Sequence, residues 1–508
     1  MFDTNLIRGE QEIMKKVIIV GAGISGMAAG IVLQKSGFET EIYEKNPVPG
    51  GELTGWKREG VYIDNCIDYL MCSKKGSDMN DFWHDIGMLK DGLKMYGKDV
   101  FFTYKGHGGE ITFRRDKERT KSDMLKLSPD DKEAIDKFFE NVTRAESMIM
   151  PISKPMDKMG LFDFMKLGDF AKNIPAAQKA YKGVSVKDLS LSFKSPVLQS
   201  AVMLTHPEQT QAYSFIMSYA MCTSGSGDIP EGGSLAAATR IADRYKELGG
   251  KLHVNAPVKN VKINGKIAEG IVLEDGTEVK GDYVICATDA NHTFTHLLPS
   301  EYMPEKLKKC FEDHEHFSVF SKFHAAFLVD CKTSIPADTS YWESEGIMVW
   351  DKVHKDIGMI CYDYDPTITP EGKTILQMKL FQYADDVDKW FELAKDREAY
   401  EAKKNEIASD MIKLIEKQYP ETEGKIHVLD TWTPVSYAKK CNAYRGAYMA
   451  FVADKDTKTV TTPGVVKQLK NVFLAGQWLM GSGGLPPATA QGKYAAWRIC
   501  KKEGVECK

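Results

Sequence analysis

The chain has 508 residues, of which 43% are hydrophobic and 27% charged, and its formal net charge is −4. This length exceeds one ordinary domain and can bury a large core, so we expect two interleaved domains. The slightly acidic balance excludes the basic electrostatic footprint that is typical of nucleic-acid-binding proteins.

Residues 1–15 contain charges throughout, and nowhere do eighteen apolar residues follow one another. The sequence therefore predicts neither a signal peptide nor a membrane span, and residues 1–15 are expected to be an N-terminal extension. The ten cysteines are scattered without a CxxC pair, which is typical of free thiols in a reducing compartment. A soluble cytoplasmic protein is expected.

The first predicted strand, residues 17–20, leads into a glycine turn and a helix of small residues. In such a turn Gly21 permits the tight bend, Gly23 lets the backbone approach a diphosphate, and Gly26 lets helix and strand pack closely. The helix start, which includes Ser25, presents N–H groups and a positive dipole end to the phosphates. The pattern predicts a dinucleotide site.

A second set of signals follows the next apolar strand, residues 39–44. Glu44 lies eighteen residues beyond Gly26, where a carboxylate can accept both ribose hydroxyls, and Lys45 follows it. Gly50 and Gly51 then allow the chain to pass beside an extended diphosphate and ribityl chain, which FAD has and NAD lacks.

The middle and the end of the chain return to this site. A turn at residues 229–234 opens a helix through Leu248, a hairpin turn is predicted at 275–277, and a strand at 283–289 follows. Another buried strand ends at Gly476 and Gln477. Leu485 and Pro486 then suit the first turn of a helix whose free N–H groups could face the flavin.

In these three stretches, near residues 17–55, 230–290 and 470–495, the chain resembles the carotenoid (phytoene) desaturase and retinol saturase branch of the glutathione-reductase-type flavoproteins, which also includes the amine oxidases. The resemblance implies an α/β fold with a Rossmann-like FAD-binding domain interleaved with an α+β substrate domain. It also implies that the backbone at Val258 faces the adenine and that Ala287 lies on the strand that returns to the cofactor.

The implied FAD-binding domain comprises residues 16–74, 230–299 and 465–508, and the implied substrate domain comprises residues 75–229 and 300–464. Residues 433–437 and 444–449 resemble the family's threonine-proline strand and glycine-aromatic turn.

The chain also departs from the family pattern. Glu52 stands where relatives often carry arginine, Asp64-Asn65-Cys66 replaces Asp-x-Gly, and Gln477 replaces an acidic or small residue. FAD is still expected, but the substrate and the electron acceptor stay open. Cys66 is interpreted as a buried small residue, and no metal is predicted, because His314 and His316 on one strand face would lack a third ligand.

Methionine and aromatic residues are frequent in the first part of the substrate domain. They could line a long apolar tunnel or form an ordinary core, and residues 162–167 could form a solvated lid or a lip that touches a membrane surface. The residues in question are Met148, Met150, Met156, Met159, Phe162, Phe164, Met165, Met203, Tyr213, Phe215, Met217, Tyr219 and Met221.

The expected chemistry is hydride transfer between a substrate carbon and flavin N5, coupled to proton transfer at the neighbouring carbon. A C–C double bond of a polyene, retinoid, fatty acid or similar apolar substrate would be made, reduced or moved. Asp68, Tyr69, Tyr444 and Arg445 are the candidate catalytic residues, since their segments are expected to approach the flavin. No second glycine-rich strand-turn-helix is evident, so quinone, dioxygen, a protein carrier or the substrate itself would accept electrons.

Two alternatives stay open. An amine oxidase would remove hydride from a C–N bond and would need an aromatic pair around the amine, to which Tyr444 or Tyr448 could contribute. A non-catalytic protein would bind flavin and an apolar ligand without ever reducing the flavin.

Overall fold

The computed structural model of the chain describes residues 14–458 and 460–508. Residues 1–13 of the predicted N-terminal extension therefore lie outside the described residues. Among the described residues no helix combines the length and the apolar character needed to cross a bilayer.

A five-stranded parallel sheet organises one half of the molecule. Its strands, in spatial order, are Val472–Leu474, Tyr283–Cys286, Lys16–Val20, Glu39–Tyr43 and Lys251–His253. Strands of this kind are short and apolar because helices cover both faces of a parallel sheet. All three sequence stretches that predicted the cofactor site thus meet in one sheet, and the Rossmann-like α/β fold is confirmed.

Three helices pack on this sheet, at Ile24–Lys35, Gly233–Glu247 and Leu485–Glu503. The last helix lies so close to the first that a Cβ at Gly492 would stand 2.1 Å from the carbonyl oxygen of Ser25. An antiparallel three-stranded sheet, Val258–Asn264, Ile267–Leu273 and Glu278–Lys280, contains the predicted hairpin turn at 275–277.

A seven-stranded mixed sheet organises the other half. Its spatial order is Ile426–Trp432, Ser321–Val329, Thr374–Gln382, Lys352–Cys361, Thr339–Val349, Val100–Gly106 and Gly109–Arg114. The helices Ala384–Leu393 and Arg397–Gln418 cover one face with Trp390 and Met411. The opposite face borders the cavity described below.

A layer of helices closes the cavity from the other side. These helices are Lys117–Leu127, Lys132–Ala145, Asp169–Ala180, Val186–Leu191, Pro196–Met203 and Ala212–Thr223. Phe215 and Tyr219 are fully buried in their core, whereas Met203 and Met217 line the cavity. The core alternative is therefore correct for much of the methionine and aromatic set, and the tunnel alternative for a few members.

Shorter elements complete the chain. They are the strands Gly55–Arg58, Val61–Asp64, Met95–Tyr96, Ile229–Pro230, Phe317–Ser318 and Val452–Ala453, and the helices Asp78–Asp85, Leu161–Met165, Ala290–His292, Glu305–Glu312 and Pro434–Cys441.

Two local expectations were wrong. Residues 433–437 are not a strand: Thr433 caps the helix Pro434–Cys441, its Oγ1 accepting from the N–H of Val435 at 3.1 Å, and a proline at the first helical position favours this. His314 and His316 lie in a turn, where the His316 ring contacts Asp313, and so do not share a strand face.

Packing crosses the predicted domain limits. The helix Asp78–Asp85 buries Met79, Phe82 and Trp83 in the same core as the parallel sheet. Phe451, placed by sequence in the substrate domain, likewise packs with strands of this sheet. The division into two interleaved domains at these limits stays a prediction.

Candidate functional site

One cavity of about 900 Å³ lies between the two halves of the molecule, a size typical of cofactor and small-molecule sites. Its cradle half is lined by Gly21, Gly23, Ser25, Glu44, Lys45, Gly50, Gly51, Val258, Ala287, Gly476, Gln477, Leu485 and Pro486. Its inner half is lined by residues that include Asp68, Tyr69, Lys98, Met203, His206, Met217, Lys322, Tyr341, Lys379, Phe381 and Tyr448.

The glycines of the first turn serve different purposes. A Cβ at Gly21, which has φ of +102°, would stand 2.8 Å from the carbonyl oxygen of Ala287, and one at Gly26 would stand 2.1 Å from that of Gly21. Gly26 therefore acts behind the cavity wall, in helix packing. Gly23 has φ of −66°, and nothing lies within 4 Å of its Cβ position. Its open side leaves room for a ligand.

The second glycine pair lies directly against the first turn. The N–H of Gly50 donates to the carbonyl oxygen of Ala22 at 2.8 Å, and the Cβ position of Gly51 is 3.4 Å from Cα of Gly23. Gly50 and Gly51 have φ of +120° and +62°, which favour glycine. The two turns thus form one concave backbone surface.

Glu44, which follows the strand Glu39–Tyr43, holds this concave backbone surface in place. Glu44 Oε2 accepts from the N–H of Ala22 at 2.9 Å, and Oε1 accepts from the N–H of Asn46 at 2.9 Å. Oε1 also accepts from Asn46 Nδ2 at 2.7 Å, so Oε2 is the oxygen with a lone pair left to accept a hydrogen bond from a ribose hydroxyl. Lys45 Nζ donates to Asn442 Oδ1 at 2.7 Å, so this lysine is tethered beside the cavity by the returning chain.

The cradle half fits a dinucleotide by an independent observation. Ser25 Oγ is buried beside the glycine turn and has no hydrogen-bond partner among the described residues. A buried hydroxyl without a partner destabilises the fold, and a phosphate oxygen would satisfy it. The first turn of the helix Leu485–Glu503 has fewer free N–H groups than expected, because Pro486 and Pro487 carry no N–H. Leu485 is the one residue of the three with an N–H.

Burial raises the pKa of two carboxyl groups at the cradle half. Burial, helped by the nearby charge of Asp289, raises the pKa of Glu52 to about 8, although Gln477 Nε2 donates to it at 3.2 Å. Burial also raises the pKa of Asp289 to about 6, although the N–H groups of Tyr444 and His292 donate to it. At neutral pH Glu52 therefore mostly holds a proton.

Tyr444 and Arg445, predicted as catalytic, do not line the cavity. The Tyr444 ring packs edge-on against Phe311, with centroids 5.0 Å apart. Arg445 points to the surface, donates to the carbonyl oxygen of Ala384 at 2.9 Å and pairs with Asp388 at 2.7 Å. The turn keeps both side chains away from the cavity wall and brings Tyr448, later in the same segment, to it, so a catalytic role for Tyr444 and Arg445 stays a prediction.

Asp68 and Tyr69 do line the inner half. Burial alone would raise the pKa of Asp68, but the charges of Lys379 and Lys322 lower it, and Lys379 Nζ donates to Asp68 Oδ1 at 2.5 Å. Burial raises the pKa of Tyr69 to about 12. The Tyr69 hydroxyl donates to Ser218 Oγ at 3.2 Å.

Ser218 continues this chain of hydrogen-bonding groups. Its Oγ lies 3.3 Å from His206 Nε2, and His206 Nδ1 lies 2.8 Å from Thr205 Oγ1. Burial and the charge of Lys322 lower the pKa of His206 to about 4, so the imidazole is neutral at neutral pH. A Tyr69–Ser218–His206 series therefore runs along the wall of the cavity, which all three residues line.

Sequence reasoning missed three lysines of the inner half, Lys98, Lys322 and Lys379. Lys322 lies in the buried strand Ser321–Val329, and Lys379 lies in the strand Thr374–Gln382. Most residues of both strands are apolar. Since alternate residues of a strand face opposite sides, lysine within an otherwise apolar strand was the available signal. Cys66 also lines the cavity, and burial raises the pKa of its thiol well above the ordinary value.

Comparison with known proteins agrees with this geometry. Residues 24–500 match the sequence profile of the family described as flavin containing amine oxidoreductase. A phytoene desaturase (lycopene-forming) from Paracoccus sp. is 26% identical over 295 residues, which is 56% of this chain and only 56% of that relative. A 4,4'-diaponeurosporene oxygenase from Staphylococcus aureus (strain MW2) is 22% identical over 96% of this chain and 99% of its own.

The fold is also found among solved structures. A putrescine oxidase bound to putrescine superimposes with a TM-score of 0.57 and 18% identity, over 96% of this chain and 99% of that chain. FAD is the cofactor of the matched family. That Asp68 and Tyr69 take part in catalysis, and that the residues of the cradle half contact FAD, stay predictions.

Gly23→Val is expected to abolish FAD binding without unfolding the protein. The extended backbone accepts valine, no atom of the described residues beyond its chain neighbours and its own helix lies within 4 Å of the new Cβ, and the side chain would occupy the diphosphate space. FAD per protein, measured by absorbance after gel filtration, should fall at least about tenfold, with the far-ultraviolet circular dichroism unchanged. Gly160→Val, at an exposed position, should change neither. Full flavin content in Gly23→Val would contradict the cradle.

Glu52→Gln is expected to alter the pH dependence of stability in the apoprotein. The folded protein holds the Glu52 proton more tightly than the unfolded chain, so stability falls as pH rises from 4.5 toward about 8. Asp289 acts similarly but mostly below about pH 6. From about pH 6 to about pH 9, the melting temperature of wild-type apoprotein should fall further than that of Glu52→Gln.

Differential scanning fluorimetry measures this difference. The control is Glu118→Gln, which removes the same charge at an exposed position and should follow the wild type. Parallel curves for wild type and Glu52→Gln would show that the carboxyl group is ionised throughout this range.

Proposed function

This chain belongs to the flavin-containing amine oxidoreductase family, and on that premise we propose that it makes, reduces or moves a C–C double bond of an unsaturated, largely apolar substrate. It is an FAD-dependent oxidoreductase. FAD bound in the cradle half supplies a hydride acceptor and donor at N5.

The continuity of the cavity carries this proposal. The cradle half opens directly into the inner half, so a substrate there would lie beside the cofactor. Apolar side chains dominate the surroundings: Phe101, Phe102, Met203, Leu204, Met217, Phe320, Ile360, Leu380 and Phe381. Such side chains bind an unsaturated carbon chain and exclude water from the reacting bond. The relatives named for phytoene and diaponeurosporene support the same substrate class.

Tyr69 is the side chain best suited to hold and move the proton. With its pKa at about 12 it keeps its proton at neutral pH, and Ser218 and His206 can pass a proton to or from its hydroxyl oxygen. Asp68 is ionised and paired with Lys379, so it cannot donate a proton and instead positions that lysine.

The direction of the reaction decides the balance of electrons. Making a double bond removes a hydride and a proton from neighbouring carbons, and a quinone or dioxygen must then take two electrons from the enzyme. Reducing a double bond adds the hydride and the proton, and an external donor must then return two electrons to the enzyme. Moving a double bond uses both transfers in turn and needs no external acceptor.

The second candidate is an amine oxidase, which the similarity to putrescine oxidase favours. The charges of the inner half oppose it, because Lys98, Lys322 and Lys379 would repel a substrate ammonium. Lys322 Nζ already lies 4.2 Å from the ring centre of Tyr448, where an amine would make its cation–π contact. A non-catalytic flavin protein is the third candidate.

Peripheral membrane contact stays a proposal for the segment Leu161–Met165. Leu161 is 76% and Phe162 79% exposed, which supports an apolar lip that could collect a lipid substrate.

Anaerobic mixing experiments separate the three candidates. Oxidised holoprotein is mixed with polyenes, retinoids, unsaturated fatty acids, steroids and amines, and dithionite-reduced holoprotein with the unsaturated compounds. We expect an unsaturated compound to remove or restore the oxidised flavin band, or to be isomerised, with amines inactive. Bleaching by amines would establish the amine oxidase, and no change with any compound the non-catalytic protein.

Tyr69→Phe is expected to slow this flavin reaction at least about 100-fold, because general acid–base groups contribute this much. FAD content and substrate binding should be nearly unchanged. Tyr213→Phe is a matched control, since its buried hydroxyl has no partner among the described residues and it does not line the cavity. An unchanged rate in Tyr69→Phe, measured by stopped-flow absorbance, would remove Tyr69 from the mechanism.

A further inference from the structure

We propose that the substrate carries an acidic group and that Lys98, Lys322 and Lys379 bind this group in the inner half of the cavity. The inference rests on the proposed function, since it specifies the substrate of the same site.

Two of the lysines share one face of the seven-stranded sheet. Lys322 lies opposite Phe381 and His324 lies opposite Lys379 in the antiparallel pairing of their strands, and residues two apart in a strand face the same side. Lys98 approaches from the segment before the strand Val100–Gly106. Asp68 lies between them: the charges of all three lysines lower its pKa.

The lysines outnumber the carboxylates beside them. Asp68 is the carboxylate whose charge acts on all three lysines, and its Oδ1 accepts a hydrogen bond from Lys379 Nζ at 2.5 Å. Asp356 also lines the cavity, but it already accepts a hydrogen bond from the Tyr104 hydroxyl at 2.8 Å. Asp338, whose charge partly opposes the lowering of the Lys98 pKa, is not among the lining residues. With His206 neutral, the group of three lysines and Asp68 has a net positive charge.

Lys98 and Lys322 have no acceptor for their ammonium groups. Neither Nζ atom makes a hydrogen bond or an ion pair with any part of the chain that the structure describes, and Lys322 Nζ instead faces the rings of Tyr448 and Phe381, at 4.2 and 5.1 Å. Burial lowers the pKa of both lysines. Lys322 is buried and Lys98 half-buried, and Asp68, the carboxylate that they share, is already paired with Lys379. Ammonium groups that lack enough negative charge beside them destabilise a protein, and an anionic ligand would supply that charge.

The chemistry of the surroundings defines the ligand. Ammonium groups bind a carboxylate or a phosphate through charge-assisted hydrogen bonds, and the apolar side chains of the inner half suit an unsaturated carbon chain. The substrate is therefore an amphiphilic anion, with its acidic oxygens at the lysines and its double bond toward the cradle half.

A head-group series tests this inference on the oxidised holoprotein. Oleate, oleyl phosphate, methyl oleate, oleyl alcohol and oleylamine share one chain, and their binding is followed by perturbation of the flavin absorbance or by calorimetry. We expect oleate or oleyl phosphate to bind at least about tenfold more tightly than the ester and the alcohol, with the amine weakest. The better of the two anions identifies the acidic group. Equal binding of anions and neutral compounds, or no binding of either anion, would overturn the inference.

Variants with opposite expected effects exclude a merely structural role. Lys98→Met, Lys322→Met and Lys379→Met should each reduce the preference for the anion several-fold, and Lys379→Arg should retain it. Asp68→Asn should increase anion affinity, because it removes the carboxylate that competes for the lysines. If the Asp68–Lys379 pair only maintained structure, Asp68→Asn and Lys379→Met would both weaken binding.

Lys493→Met is the matched control, since Lys493 is half-buried over the Phe82 ring and does not line the cavity. FAD content and melting temperature identify any variant that misfolds, and the head-group series on the wild type decides the inference without variants. If the anion binds through the lysines but no unsaturated compound reacts with the flavin, the proposed function fails and this inference stands. If unsaturated hydrocarbons react and the lysine variants leave binding unchanged, the reverse holds.

Discussion

The contact between two glycine turns is the constraint on which the rest of this structure depends. The N–H of Gly50 reaches the carbonyl oxygen of Ala22, and the first turn touches the strand end at Ala287 so closely that Gly21 can carry no side chain. Backbone therefore meets backbone where side chains would normally stand. The concave surface exists only because these segments, distant in sequence, have small residues at the points of contact.

This constraint also explains why the sequence predicted one half of the site far better than the other. Glycine at Gly21, Gly50 and Gly51 records a backbone requirement in the residue type itself, so strand, turn and helix could be recognised without a structure. The residue type of a lysine such as Lys322 indicates no comparable backbone requirement. Its meaning depends on which sheet face borders the cavity, and strand pairing across distant segments decides that. Tyr448 was distinguished from Tyr444 only by the direction of one turn.

The cradle half and the inner half of the cavity also differ in charge. In the cradle half burial keeps Glu52 mostly protonated at neutral pH, so this side chain adds little repulsion for an anionic cofactor. The inner half instead concentrates ammonium groups around Asp68. Departures from the family pattern at Glu52 and Gln477, which pair with each other, therefore leave the cradle intact and alter the electrostatic surroundings of the reacting groups.

The parallel sheet has a consequence for biosynthesis. Its central strand, Lys16–Val20, is made early, whereas its neighbour Tyr283–Cys286 and the outer strand Val472–Leu474 leave the ribosome much later. During translation the early strand waits with an unpaired edge, which is a hazard for aggregation. Leu485 and Pro486 of the helix Leu485–Glu503 line the cavity, so its wall is complete only after this last helix has emerged.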